Sequence, residues 1–443
     1  MSSMESQYRD VVRQKIVDGL AAPLPVLTRR DIRLPKIRNK AVAVIGMRRS
    51  GKTSFLWQEL AHRHAAGGER DGLLYVSFED ERLAGMSARE LDLVVEEYYR
   101  LNPDWRDRRR ATFFLDEIQS VSGWEGFARR LLDSEKIDLF LSGSSAKLLS
   151  REVATSMRGR AIEAVVYPFS FREYLRHHGR EPKKQVDRLT KAERSALDRH
   201  LHDYLEVGGF PEAQSLDVRD RLDLMKGYVD VVLLRDIIER HAVSHPLALR
   251  WLVRQLLGNP AGSFSINKFY GDLKSQGIAV AKDTLHGYLA HLEDAFLVRV
   301  VSLATDSERR RMVNPRKVYP IDPGLIPIFD RSGKSNLGHA LETSVLLELE
   351  RRGAEVGYVH TRDGHEVDFL ARYPEGGEQL IQVCASLDDP ATQEREMRAL
   401  IEASADYPRA ARCLIAIDIP AAMNVPDGIT LHRAADWLLS GDE

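Results

Sequence analysis

The run Ala41-Val42-Ala43-Val44-Ile45, followed at once by Gly46-Met47-Arg48-Arg49-Ser50-Gly51-Lys52-Thr53, constrains this chain more than any other stretch. Five consecutive apolar residues that stop at a glycine read as a strand buried on both faces, as in a parallel sheet. Ser54-Phe55-Leu56-Trp57-Gln58-Glu59-Leu60 then continues with helical spacing. The whole is GxxxxGK[ST] in the strand–loop–helix setting that a phosphate loop requires. Glycines let main-chain amides curl around an anion without a side chain in the way. The helix that begins there points its free amides at the same anion. In this reading Gly46, Met47, Arg48, Arg49, Ser50, Gly51, Lys52, Thr53 and Ser54 surround a nucleotide. Lys52 would reach the β/γ-phosphates, and the Thr53 hydroxyl would complete a Mg²⁺ shell. ATP and Mg²⁺ are the expected ligands. A chance glycine-rich turn would need strand and helix to flank it by accident.

A second apolar run, Ala111-Thr112-Phe113-Phe114-Leu115, stops at Asp116-Glu117. A buried strand ending in acids suits phosphoryl transfer, which depends on positioning and charge neutralisation. Asp116 would hold the metal and Glu117 would orient or deprotonate the attacking water. Leu73 to Phe78 and Ile137 to Leu141 are further strands, separated by helical segments, so the fold class is α/β with a parallel sheet. The last of them runs into Ser142-Gly143-Ser144-Ser145. A hydroxyl there could sense the γ-phosphate or simply cap the helix starting near Ala146.

Gly46 to Thr53, Leu115-Asp116-Glu117, Leu141 to Leu149, Met157-Arg158-Gly159-Arg160, Tyr167 to Tyr174 and Glu206 to Glu212 occur in this order. Together they resemble the large bacterial and archaeal family of AAA-superfamily ATPases with a carboxyl-terminal domain of uncharacterised function. The resemblance covers nearly the whole chain beyond residue 25. It implies an AAA-type core in which the serine turn is the sensor 1 position, with Ser144 the first choice and Ser142 and Ser145 close behind. It also implies that Arg158 or Arg160 could reach a neighbouring subunit's γ-phosphate. A surface ion pair is the alternative for either arginine.

With 443 residues and roughly 150 per domain, about three domains are expected. The formal charge of −2 hides an asymmetry. Residues 240–317 carry 12 Lys/Arg against 6 Asp/Glu, whereas 318–443 carry 11 against 22. The middle is anion-seeking and the end acidic. Apolar-periodic stretches at Leu247 to Leu257, Ile266 to Gln276 and Lys282 to Leu292, then the strand Phe296 to Val301, resemble a winged helix-turn-helix. Lys282, Thr284, His286 and Tyr288 would then face a groove, with Arg309, Arg310 and Arg311 near the wing. DNA contact and protein packing are both open for such a module.

Near Gly338-His339-Ala340-Leu341-Glu342 a helix begins, followed by strands at Glu355 to His360, Glu366 to Leu370 and Gln379 to Cys384, a helix, and the strand Cys413 to Asp418. This order resembles the restriction-endonuclease-like core, where an Asp and an acid-x-Lys, often aided by a helix Glu, bind Mg²⁺ and activate water. Glu342 and Asp368 are kept, but Gln382 and Cys384 replace acid and lysine, and no lysine follows Lys334. An amide ligates weakly and a thiol cannot stabilise a pentacovalent phosphate. The site reads as degenerate.

The expected architecture is therefore an ATPase core at 1–175, a helical lid at 176–240, a winged helix at 241–317 and an endonuclease-like part at 318–443. The expected function is ATP hydrolysis that drives or switches DNA binding. A regulatory ATPase that binds protein partners and an ATP-dependent nuclease are the alternatives. A homo-oligomer, up to a hexamer, and a cytoplasmic location are expected. No apolar run approaches the ~18 residues that span a bilayer. Two cysteines cannot on their own make a disulfide framework or a four-cysteine zinc site.

Overall fold

The buried apolar runs become strands. The computed structural model describes residues 3–35, 37, 39–143, 157, 159–330, 336–420 and 422–440. They form two compact units, 1–167 and 168–443. In the first, α1 (Ser3–Ala21) precedes β1 (Ala41–Ile45), α2 (Lys52–Ala65), β2 (Leu73–Ser77), α3 (Asp92–Leu101), β3 (Ala111–Asp116), α4 (Trp124–Ser134), β4 (Ile137–Gly143) and β5 (Ala161–Val165). The sheet order is β2-β3-β4-β1-β5 and every pairing is parallel. Because β4 lies between β1 and β3, the glycine-rich loop and the acidic pair flank the carboxyl end of β4. All six residues of β3 are buried. Phe114 and Phe140 stack in a core with Val44, Phe55, Leu56 and Leu60.

Two elements of this unit have no counterpart in the sequence reading. Helix α1 buries Val12 and Ile16 along an otherwise charged surface, an apolar stripe too thin to register as periodicity. Strand β5 is an edge strand in which Ala164 alone is buried.

The second unit contains α5 (Phe171–His177), α6 (Lys191–Val207), α7 (Val218–Val231) with a π-helical continuation (Val232–Glu239), α8 (Pro246–Leu257), β6 (Ser263–Phe264), α9 (Ile266–Ser275) and α10 (Lys282–Asp294). Next come β7 (Val298–Val301), α11 (Glu308–Val313), β8 (Arg316–Pro320), α12 (Ile326–Phe329), α13 (Leu337–Arg351), β9 (Glu355–His360) and β10 (Glu366–Arg372). The chain ends with β11 (Glu378–Ser386), α14 (Pro390–Asp406), β12 (Ala411–Asp418), β13 (Ile429–Arg433) and α15 (Ala434–Leu439). Strands β6-β8-β7 form a small antiparallel sheet. A second sheet has the order β13-β12-β11-β10-β9. Its β9-β10-β11 part is an antiparallel meander, and β11, β12 and β13 run parallel. Leu341, Val345, Leu346 and Leu349 on one face of α13 pack with Phe369, Ile381 and Ile415.

The Gly208-Gly209 breaker has a specific task. Gly208 ends α6 with φ +78°, and a Cβ there would lie 1.8 Å from Asp322 Oδ1. With no side chain in the way, Asp322 reaches the main chain. Its two carboxylate oxygens accept the Gly209 amide at 2.7 Å and the Gly324 amide at 2.9 Å. The fold is α/β, with a parallel-sheet core and a second sheet toward the carboxyl end. Among the described residues, no helix is long and apolar enough to cross a membrane.

Candidate functional site

The glycine-rich loop leaves β1 at Gly46 and delivers Lys52 to the first turn of α2. Gly46 has φ +151°, and a Cβ there would meet Val166 O at 2.3 Å. Only glycine fits that crossing. Met47 and Ser50 are buried, Arg48 is half-buried, and Arg49 adopts the left-handed region with φ 66°. Gly51 caps α2 with φ 101°. Lys52 Nζ donates to the carbonyls of Gly46 and Met47, each at 3.2 Å, and lies 4.0 Å from Glu117 Oε1. Thr53 and Ser54 stand exposed at the start of the helix.

The acids after β3 meet this loop. Thr53 Oγ1 donates to Asp116 Oδ2 at 2.9 Å, across 63 positions of chain. The Tyr75 hydroxyl donates to the same oxygen at 2.7 Å. Ser142 Oγ donates to Asp116 Oδ1 and accepts the Glu117 amide at 2.9 Å. Three hydroxyls therefore orient one carboxylate. Glu117 stands in the left-handed region, and Gln119 Nε2 donates to its carboxylate. Burial pushes the Glu117 carboxyl above its ordinary range, with Lys52 and Gln119 acting against the shift. A hydroxyl beside a carboxylate, both next to a lysine-bearing loop, is the donor set that a nucleotide-bound Mg²⁺ takes. The residues fit that group.

Ser142 is fully buried and bonded to the acidic pair, whereas Ser144 and Ser145 lie outside the described residues. Arg158 also lies outside them. Arg160 forms an ion pair with Asp133 of α4. Tyr75 was missed because an aromatic residue in an apolar strand reads as core. Arg30, buried beside the loop, was also missed; it sits in a stretch without periodicity.

In the basic middle segment, Lys282 is exposed and Thr284 half-buried on the first turn of α10. Tyr288 does not face a groove. It lies with Leu285, Leu289 and Leu292 on the inner face, and its hydroxyl accepts the His245 amide at 3.0 Å. Arg309, Arg310 and Arg311 form α11 between β7 and β8. Arg309 and Arg310 are exposed; Arg311 pairs with Glu308 at 3.1 Å. Burial, then Arg316 and Lys282, lower the pKa of His286.

The carboxyl-terminal cluster differs from its sequence reading in one respect. A cation is present, and it comes from upstream: Lys317 on β8. Its Nζ lies 3.1 Å from Glu342, 2.8 Å from Glu366 and 3.0 Å from Asp368. Burial disfavours the ammonium, but Asp368, Glu342 and Glu366 outweigh it and raise its pKa. Burial and then Asp368 push Glu342 upward, against Lys317 and a 2.7 Å hydrogen bond from Tyr319. Gln382 accepts the Asp368 amide at 3.3 Å and donates to Glu396 at 2.6 Å. Cys384 donates to Ser386 O, and burial pushes its thiol up to about 11. Among the described residues, no group of three or more His, Cys, Asp or Glu is arranged to hold a metal ion.

Comparison with known proteins adds a family. Residues 38–175 match the family described as an AAA domain, and residues 198–334 match a domain of unknown function, DUF8612. The uncharacterized protein MJ1544 of Methanocaldococcus jannaschii is 35% identical over 382 residues, 85% of this chain and 81% of that protein. An uncharacterized protein of Haemophilus influenzae is 28% identical over 397 residues, 89% of this chain and 93% of its own. The Walker-type ATPase PABY2304 of Pyrococcus abyssi superimposes with a TM-score of 0.43 at 15% identity, covering 72% of this chain and 95% of that one.

Proposed function

Because the chain belongs to the family of MJ1544 of Methanocaldococcus jannaschii and its residues 38–175 match an AAA domain, we propose that it is a Mg²⁺-dependent ATPase whose nucleotide cycle switches its binding to DNA. The observation that carries the first half is the 2.9 Å hydrogen bond between Thr53 and Asp116. Those two residues would hold the ion, which supplies charge neutralisation at the β- and γ-phosphates. Lys52 binds the same phosphates through its ammonium. Glu117 orients the attacking water and accepts its proton, and a carboxyl pushed upward by burial suits that task. Ser142 keeps Asp116 and the Glu117 peptide in register. Ser144 as γ-phosphate sensor, and Arg158 or Arg160 acting on a neighbour's nucleotide in a homo-oligomer, complete the reading.

The second half rests on residues 241–317. Helices α8, α9 and α10 with the β6-β8-β7 sheet follow the order of a winged helix, and this segment carries the chain's cationic excess. Lys282, Thr284, Arg309, Arg310 and Arg311 are its proposed DNA contacts. Residues 1–175 are then the motor, 176–240 the lid and 318–443 an endonuclease-like part. Helix α13, the β9-β10-β11 meander, α14 and β12 support that likeness. Lys317 offsets part of the charge of its three acids, and Gln382 and Cys384 supply neither a further acid nor a cation, which favours a structural or regulatory part over a nuclease.

One observation favours a protein partner instead. Met312 and Val313, next to the arginines of α11, are 74% and 70% exposed. The deciding experiment is ATP turnover with single-stranded, duplex and branched DNA. Stimulation by DNA, abolished in Lys52→Ala, is the expected result. Turnover indifferent to every DNA would move the reading to a protein-binding switch, and wild-type turnover by Lys52→Ala would remove the ATPase itself.

A further inference from the structure

We infer that Arg30 is a positioning residue of the phosphate loop, holding the Ser50–Gly51 peptide so that the Gly51 amide faces the phosphates. The inference rests on the ATP-binding reading and deepens it. Arg30 lies in the basic stretch before β1 that the proposed function leaves without a role. It is only 7% exposed, and arginine is seldom so buried without a task. Its Nη1 donates to Ser50 O at 2.9 Å, and its Nη2 donates to Tyr167 O.

Those two carbonyls are the two flanks of the loop. Ser50 precedes the capping Gly51. Tyr167 follows Val166, whose carbonyl closes on Gly46 and whose amide donates to Ile45 O at 2.7 Å. One planar guanidinium thus ties the end of the loop to the strand extension that shapes its start. A fork with several fixed donors can do this, whereas an ammonium on a flexible stem is a point charge.

The planar trans peptide carries the consequence to the phosphate side. Carbonyl and amide of one peptide point in opposite directions. Holding Ser50 O from the Arg30 side turns the Gly51 amide the other way, toward the anion that a loop of successive amides binds. Without the arginine, Gly51, a residue with no Cβ, can rotate that peptide at little steric cost.

Arg30 is itself held in place. The Gln58 side chain on α2 accepts the Arg30 amide at 2.7 Å and donates to the Arg30 carbonyl at 3.1 Å. The guanidinium is therefore referenced to the helix whose amino terminus completes the phosphate site.

The test measures equilibrium binding of ATP and of adenosine to the full chain, with thermal stability measured alongside. Arg30→Ala should weaken ATP binding roughly 10- to 100-fold, the scale of a hydrogen bond to a charged group, while adenosine binding stays within twofold. Arg30→Lys should fall between, and Gln58→Ala should weaken ATP binding in the same selective way. Arg29→Ala, one residue away and paired with Asp31 at 3.2 Å, should bind like wild type. If Arg30→Ala and Arg30→Lys lose stability but bind ATP like wild type, Arg30 is merely structural and the inference is wrong. Equal losses for ATP and adenosine would also overturn it. If the wild-type chain binds no ATP, the ATPase reading falls and takes this inference with it.

Discussion

Lys317 Nζ lies 3.0 Å from Asp368 Oδ1, although 51 positions separate the two residues in the chain. The ammonium also touches Glu342 and Glu366, and its side chain is 4% exposed. Removing one partner of a buried ion pair leaves the others uncompensated, which costs about 3–5 kcal/mol. Lys317→Met should therefore lower the denaturation midpoint sharply. Adding Asp368→Asn to that variant should recover part of the loss. A midpoint for Lys317→Met equal to wild type would mean that the cluster contributes nothing to the fold.

The same contacts predict the behaviour toward DNA. A carboxylate already neutralised by a resident ammonium gains less from a metal ion, and positions 382 and 384 offer an amide and a thiol. With Mg²⁺ or Mn²⁺ the protein should leave linear, nicked and branched DNA intact, and Asp368→Ala should leave ATP turnover nearly unchanged. Cleavage that vanishes in Asp368→Ala and survives in Lys52→Ala would establish a working nuclease site.

Asp116 is aimed by hydroxyls from three elements, so each should matter by about one hydrogen bond. Tyr75→Phe keeps the ring and removes the 2.7 Å contact, a loss of about 1 kcal/mol or roughly fivefold in turnover. Ser142→Ala should cost more, because that hydroxyl serves both Asp116 and the Glu117 amide. ATP binding without Mg²⁺ should change little in either variant. Steady-state rates against Mg²⁺ concentration check this, and full activity in Ser142→Ala would detach the serine from the site.

What was legible in the sequence is what is local. The phosphate loop spans eight residues between a strand and a helix, and the acidic pair directly ends its strand. Which serine meets Asp116 was not legible, because that depends on β4 running beside β3 as far as Leu141 and on to Gly143. This register brings Ser142 to Asp116. Lys317 escaped for a related reason: three carboxylates from α13 and β10 converge on a residue of β8, and no spacing rule links them. Tyr288 has helical periodicity with Leu285, Leu289 and Leu292, so its inward position was readable. The groove reading set that periodicity aside.

Salt dependence tests the arginines of α11. Each phosphate contact flattens the slope of log K against log salt by about 0.9 on removal. Arg311 is already engaged by Glu308 and the Thr305 carbonyl, at 3.1 Å each. Replacing Arg309, Arg310 and Arg311 with Ala should therefore flatten the slope by about 2 rather than 3, equally for all DNA sequences. An unchanged slope would place the contact elsewhere, for example in the basic run from Arg29 to Lys40.

Asp322 gives the chain a pH dependence whose sign is open to measurement. Full burial pushes its carboxyl up to about 7, against the pull of the Gly209 and Gly324 amides and of Arg351. The ordinary value is 3.8. Between the two, the folded chain keeps a proton that the unfolded chain has released. Stability contributed by Asp322 is therefore complete below about 4, declines as the pH rises, and is lost above about 7. Asn cannot ionise and still offers one oxygen to the two amides. The melting temperature of wild type relative to Asp322→Asn should accordingly fall as the pH is raised from about 4 to about 7 and level off above that. A difference that instead grows with pH would mean that the two amides outweigh burial and hold the carboxylate ionised in the fold.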